Sequence, residues 1–167
     1  MAGRTIYQGV GLQLVDDKGR VAIPAPLRNA IIANSSPEDM KDGPRVTIAV
    51  HPVSKCLIGY DRAWASLELE RATRREEAHT GADGEYDYNI KRRVSGGGEE
   101  AGFDASGRFV LAPFPRFYAG VRKYAFFYGV MDYFEVWDPE TLLATDDAPD
   151  VMKAAARFFL AEKGIAL

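Results

Sequence analysis

Val15-Asp16-Asp17-Lys18-Gly19-Arg20-Val21-Ala22-Ile23-Pro24 recurs in outline as Phe103-Asp104-Ala105-Ser106-Gly107-Arg108-Phe109-Val110-Leu111-Ala112-Pro113. From Arg20 to Arg108 the spacing is 88, and Arg28 falls on Arg116 at the same spacing. Further on, Leu57-Ile58-Gly59-Tyr60-Asp61 matches Phe134-Glu135-Val136-Trp137-Asp138 at a spacing of 77. The 11 residues lost between the two spacings point to an insertion in the first copy. The polar stretch Asn34 to Pro44 has that length, and surface loops absorb insertions cheaply.

Each copy has a local physical logic. An Asp followed three positions later by Gly suits a tight type I turn, with the Gly free to take positive φ. Leu12, Leu14 and Val15 lead in and Val21 and Ile23 lead out, which predicts a β-hairpin. Asp16, Gly19, Asp104 and Gly107 are the turn formers. Arg20 and Arg108 stand beside the turn tips. Pro24 and Pro113 end the strands. Pro26 and Pro115 suit first helical turns, predicting helices over 26–33 and 115–119 that carry Arg28 and Arg116. Two more strands follow in each copy, over 46–50 and 56–60, then 124–128 and 133–137. Asp61 and Asp138 are placed as helix N-caps.

The expected fold is therefore α+β and mainly β. One four-strand unit buries too little apolar surface to stand alone, so the two copies should pack as one small barrel-like core. The organisation expected is a first repeat over 7–65, a helical, Gly-rich connection over 66–98, a second repeat over 99–143 and a C-terminal helix over 144–167. In that last helix Val151, Ala155, Phe158 and Phe159 fall near one face. Gly96-Gly97-Gly98 lacks the Lys-Ser/Thr of a phosphate loop and reads as a flexible link. The strand aromatics Tyr124, Phe126, Phe127, Tyr128, Tyr133, Phe134 and Trp137 read as core or interface.

The chain has 167 residues and a net charge of −3, with 47% hydrophobic and 27% charged residues, which places it among folded proteins. No apolar run reaches the length of a membrane span, and Met1-Ala2-Gly3-Arg4-Thr5 has no apolar leader, so a cytoplasmic location is expected. Cys56 is the one cysteine. His51 and His79 are isolated, so neither metal nor cofactor is expected. No nucleophile or oriented base accompanies Asp16 or Asp104, which argues against an enzyme.

The paired motifs resemble the MraZ family of bacterial transcriptional regulators. The likeness rests on Asp16-x-Lys18-Gly19-Arg20 with Ile23-Pro24 and Arg28, and on Asp104-x-x-Gly107-Arg108 with Leu111-Ala112-Pro113 and Arg116. Phe134-Glu135-Val136-Trp137-Asp138 looks like the family's second-copy signature, and the family's opening Phe-Arg-Gly reads Tyr7-Gln8-Gly9 here. The resemblance implies two swapped-hairpin, AbrB-like half-barrels packed as one pseudo-symmetric barrel with flanking helices. It implies a homo-oligomer closed into a ring. It also implies binding to double-stranded DNA at short direct repeats upstream of the division and cell-wall gene cluster, and a place over the nucleoid. The family's DNA-contacting arginines would correspond to Arg20 and Arg108.

The residue types agree with that chemistry. An arginine fork on a rigid turn can grip a guanine edge or a phosphate with two hydrogen bonds, and a two-stranded ribbon fits the major groove. Lys18 is a phosphate candidate that makes the first turn the more cationic one in side chains, and the first turn is expected to contribute more phosphate attraction. Arg28 and Arg116 suit either DNA contact or a structural role. Lys91-Arg92-Arg93 reads as a solvated helix face. The acidic net charge leaves a second reading open: an oligomeric scaffold or interaction protein that does not bind DNA.

Overall fold

The computed structural model describes residues 3–79, 81 and 83–166. Thr80 and Ala82 of the expected 66–98 connection and Leu167 of the expected 144–167 helix lie outside the described residues, as do Met1 and Ala2.

The chain is α+β with antiparallel strand pairing throughout. The first copy supplies β1 (Val10–Leu14), β2 (Arg20–Ala22), α1 (Ala25–Ala33), β3 (Arg45–Val50) and β4 (Leu57–Tyr60). The connection supplies α2 (Arg62–Ala78) and α3 (Asn89–Ser95). The second copy supplies β5 (Glu99–Gly102), β6 (Arg108–Val110), α4 (Pro113–Ala119), β7 (Tyr124–Gly129), β8 (Phe134–Trp137) and α5 (Pro139–Leu143). The C-terminal helix is α6 (Asp150–Glu162). The prolines and caps behave as their chemistry predicts. Pro26 sits in the first turn of α1. The Asp61 carboxylate accepts from the Trp64 N–H, and that of Asp138 from the Thr141 N–H.

The two copies exchange strands. The larger sheet runs β1-β7-β8-β4-β3-β5, and β2 pairs with β6 in a separate ribbon. The hairpin expected between β1 and β2 is therefore absent as a ladder. The turn itself forms, but β1 pairs with β7 and β2 with β6. The register is symmetric under exchange of the copies. Leu12 faces Phe126 as Glu100 faces Thr47. Two pairs map onto themselves: Val21 opposite Phe109 in the ribbon, and Ile58 opposite Glu135 where β4 meets β8. An approximate two-fold axis runs through both.

These registers also divide the 11-residue difference. Arg20 and Arg108 are 88 apart, Thr47 and Phe126 are 79 apart, and Tyr60 and Trp137 are 77 apart. Of the extra residues, 2 lengthen α1 relative to α4, 7 lie in the segment between α1 and β3, and the β3–β4 turn holds the other 2.

The core lies between the ribbon and the large sheet, built from residues of both copies that include Val21, Ile23, Leu27, Phe109, Leu111, Phe127 and Phe134. A second cluster forms where α6 covers the outer face of β1, β7 and β8, with Leu12, Cys56, Phe126, Trp137, Met152, Ala156 and Leu160. Phe126 and Phe127 therefore face two different cores, and β7 is apolar on both sides. The buried stripe of α6 is Met152-Ala156-Leu160, whereas Val151 and Phe158 of the expected face are exposed.

The glycine run is not a loose link. Gly96 has φ +51, and a Cβ there would lie 2.4 Å from the Val50 carbonyl oxygen. The Val50 N–H donates to the Gly96 carbonyl. Only a residue without a side chain lets the chain cross β3 this closely before entering β5. No helix among the described residues is long and apolar enough to cross a membrane.

Candidate nucleic-acid interface

Both turns are built alike. The Gly19 N–H donates to the Asp16 carbonyl at 3.0 Å, and the Gly107 N–H to the Asp104 carbonyl at 2.9 Å. Both glycines have φ +80, which a side chain would strain. Asp16 Oδ1 accepts from the Lys18 and Arg20 N–H groups, and Asp104 Oδ1 from those of Ser106 and Arg108. Cross-links then join the turns: the Ile23 N–H donates to the Gly107 carbonyl and the Leu111 N–H to the Gly19 carbonyl.

This lacing brings Arg20 and Arg108 together. On the ribbon, Arg20 is opposite Val110 and Ala22 is opposite Arg108. Alternation puts these four side chains on one face, while Val21 and Phe109 fill the other and are buried in the core. The two arginines occupy diagonal positions, typically about 7–8 Å apart, or roughly two base-pair steps. Val110 and Ala22 were not singled out from the sequence. The Arg-x-Ala and Arg-x-Val alternation was the signal that could have found them.

The carboxylates treat the two arginines differently. Asp16 Oδ2 accepts from Arg20 Nε at 2.6 Å and lies 3.9 Å from Arg108 Nη2. Among the described residues Asp104 makes no ion pair with either guanidinium. The Asp16 carboxyl is pulled down to about 2, first by the Arg20 N–H and then by its guanidinium. It is ionised at every pH at which the protein would work. Lys18 is exposed, and Asp17 next to it is exposed as well.

Arg28 and Arg116 face inward to backbone. Arg28 Nη1 donates to the carbonyls of Ile23 and Ser106, both at 3.0 Å, tying α1 to the second turn. Arg116 donates from Nε to the Val121 carbonyl and from Nη2 to the Arg122 carbonyl, tying down the loop after α4. Each helix arginine also packs beside the other copy's turn glycine, Arg28 at Gly107 and Arg116 at Gly19. Beside the first turn, a cleft of about 1020 Å³ is bordered by Lys18, Arg116, Phe117, Arg122 and Lys123. Arg122 pairs with Glu140 at 2.8 Å. Sequence reasoning missed Arg122 and Lys123, because nothing local links that loop to the turn.

The other candidates lie elsewhere. Lys91 pairs with Glu76 at 3.2 Å, and Arg92 and Arg93 are exposed on α3. His51 Nδ1 accepts from the N–H groups of Val53 and Ser54, so any proton on its neutral ring is at Nε2, facing Glu135 at 3.4 Å.

No family model matches the chain. Among curated proteins it is similar to the transcriptional regulators MraZ of Burkholderia vietnamiensis (strain G4 / LMG 22486), Burkholderia multivorans (strain ATCC 17616 / 249) and Burkholderia ambifaria (strain MC40-6). Each is 28% identical over 155 residues, covering 89% of this chain and 97% of the relative. The relatives are named as regulators of transcription, not as enzymes.

Proposed function

We propose that this relative of the MraZ transcriptional regulators is a DNA-binding regulator that presents the β2–β6 ribbon to the major groove of promoter DNA. The single observation that carries the reading is the convergence of Arg20 and Arg108 on the outward face of one two-stranded ribbon. A ribbon of this width enters the major groove, and an arginine fork there recognises base edges or phosphates. Lys18 adds phosphate attraction. Arg28 serves by tying α1 to the second turn and Arg116 by tying down the loop after α4, since backbone carbonyls take part of each guanidinium. Asp16, Gly19, Asp104 and Gly107 shape the turns.

The exchange of strands between residues 7–65 and 99–143 supports reading them as two AbrB-like swapped-hairpin halves of one barrel, flanked by the 66–98 connection and the 144–167 helix. The natural extension is a closed ring of copies in the cytoplasm, over the nucleoid. Such a ring engages short direct repeats upstream of the division and cell-wall genes. Two arginines per chain bind weakly, and a ring multiplies them by effective concentration. This also reconciles DNA binding with a net charge of −3.

A scaffold without DNA binding has one observation in its favour: Phe114 and Phe117 of α4 are 56% and 81% exposed, a surface suited to a protein partner. Footprinting upstream of the protein's own gene at about 50 and about 200 mM salt separates the two. The DNA reading expects protected repeats that weaken at the higher salt. No protection at the lower salt would favour the scaffold.

A further inference from the structure

We infer that Asp16 is a positioning residue of the ribbon, holding Arg20 for a base edge and leaving Arg108 as a phosphate contact. This deepens the DNA-binding reading and rests on it. Both aspartates make the same backbone turn, each with Oδ1 on two N–H groups. Only Asp16 uses its second oxygen on a guanidinium. The contact is to Nε, which leaves both terminal amino groups of Arg20 for an end-on grip on a base.

Fixing the guanidinium before binding removes part of the ordering cost that a specific contact otherwise carries. Arg108 has no such hydrogen bond: Asp16 Oδ2 lies 3.9 Å from its Nη2, although the two arginine side chains are about equally exposed. A guanidinium without that hydrogen bond suits a phosphate, which offers acceptors over a wide range of directions and carries no sequence information. The inequality also has a geometric consequence. Two equivalent arginines about the Val21–Phe109 two-fold would read a palindrome. One held and one loose give the ribbon a direction along the duplex, as a direct repeat requires.

The test is fluorescence anisotropy with two labelled duplexes, one from the protein's own promoter and one of equal length and composition with a scrambled sequence. In Asp16→Asn the turn survives, because the asparagine oxygen still accepts both backbone N–H groups, while the acceptor at Nε is lost. The promoter-to-scrambled preference should fall about tenfold, with scrambled affinity unchanged or raised because one anion has left the DNA face. Asp104→Asn should change the preference by no more than about twofold, because Asp104 holds no guanidinium. Arg20→Lys should lose the preference as Asp16→Asn does, and Arg108→Lys should keep it. The lysine pair leaves both carboxylates in place and so decides the matter independently of turn geometry. Equal losses in the two asparagine variants, or equal losses in the two lysine variants, would overturn the inference. A wild-type protein that binds both duplexes alike would instead overturn the DNA-binding reading beneath it.

Discussion

At the first turn the Asp16 carboxylate takes two backbone N–H groups with one oxygen and the Arg20 guanidinium with the other. At the second, the Asp104 carboxylate takes only backbone N–H groups among the described residues. The difference is not one of charge, because each turn is locally balanced: Asp16 and Asp17 against Lys18 and Arg20, Asp104 against Arg108. It is one of wiring. The extra lysine that makes the first turn look more cationic is matched by the extra aspartate beside it. Two copies of one element have thus kept a common backbone while their side chains have taken unequal tasks, and the same inequality runs through the core and the caps.

The largest effect should come from the pair on the two-fold axis. Phe109 is the bulky member and Val21 the small one, both buried. Phe109→Ala should cost about 3–5 kcal/mol and Val21→Ala about 2 kcal/mol, read from urea unfolding curves. Equal costs would mean that the axis relaxes around either side chain.

Next come the caps. Asp61 accepts from Arg4, from the Tyr7 hydroxyl and from the Trp64 N–H, and its side chain is fully buried. Among the described residues the Asp138 carboxylate accepts only from Thr141. Burial pushes the Asp61 carboxyl up, but these hydrogen bonds together outweigh it and hold it below the ordinary 3.8. A carboxyl lowered in the folded state contributes stability above its unfolded value and loses it as pH falls through the folded value. Asp61→Asn should therefore cost about 2–3 kcal/mol at neutral pH and flatten the acid limb of the stability profile below pH 3.8. Asp138→Asn should cost about 0.5 kcal/mol or less, since asparagine caps a helix about as well.

Smallest is the contrast between the turn glycines. A Cβ at Gly107 would lie 2.7 Å from the Ile23 carbonyl oxygen and 2.9 Å from Arg28 Cδ, whereas one at Gly19 would meet nothing nearer than 3.3 Å. Both alanines suffer the positive φ, so Gly19→Ala should cost about 1 kcal/mol and Gly107→Ala about 2 kcal/mol. A larger loss at Gly19 would contradict the packing asymmetry.

What the sequence made legible was local. Asp-x-x-Gly-Arg encodes its turn through contacts within five residues, and prolines and aspartates mark the helix starts. Strand partnership was not legible. Because the copies share a pattern, β1 suits its own copy's neighbours and the other copy's equally well, and only the packed core decides. Counting spacings found the 11 extra residues but could not divide them among the end of α1, the loop after it and the β3–β4 turn. β5 opens on Glu99 and Glu100 and has no apolar run of its own, so it was legible only as the second copy's counterpart of the strand before the first turn. On α6, Ala155 and Ala156 support two apolar stripes one residue apart. The stripe ending in Leu160 is the one that packs, leaving Phe158 exposed. At the site, Arg20 and Arg108 were readable one at a time. Their meeting on one ribbon, and the reach of Arg28 to the Ser106 carbonyl, depend on the crossing of the copies, whereas Arg116 folds onto the Val121 and Arg122 carbonyls of its own copy.

The most direct test of the ribbon as the DNA-contacting element is the double variant Arg20→Ala, Arg108→Ala, assayed on the protein's own promoter duplex across a salt series, with assembly followed by light scattering. Both side chains are exposed and neither supports the core, so particle mass and unfolding midpoint should match wild type. Affinity for the promoter should fall by about a hundredfold or more, and the residual binding should show a shallower salt slope. A double variant that assembles normally and keeps wild-type affinity and salt dependence would contradict the account.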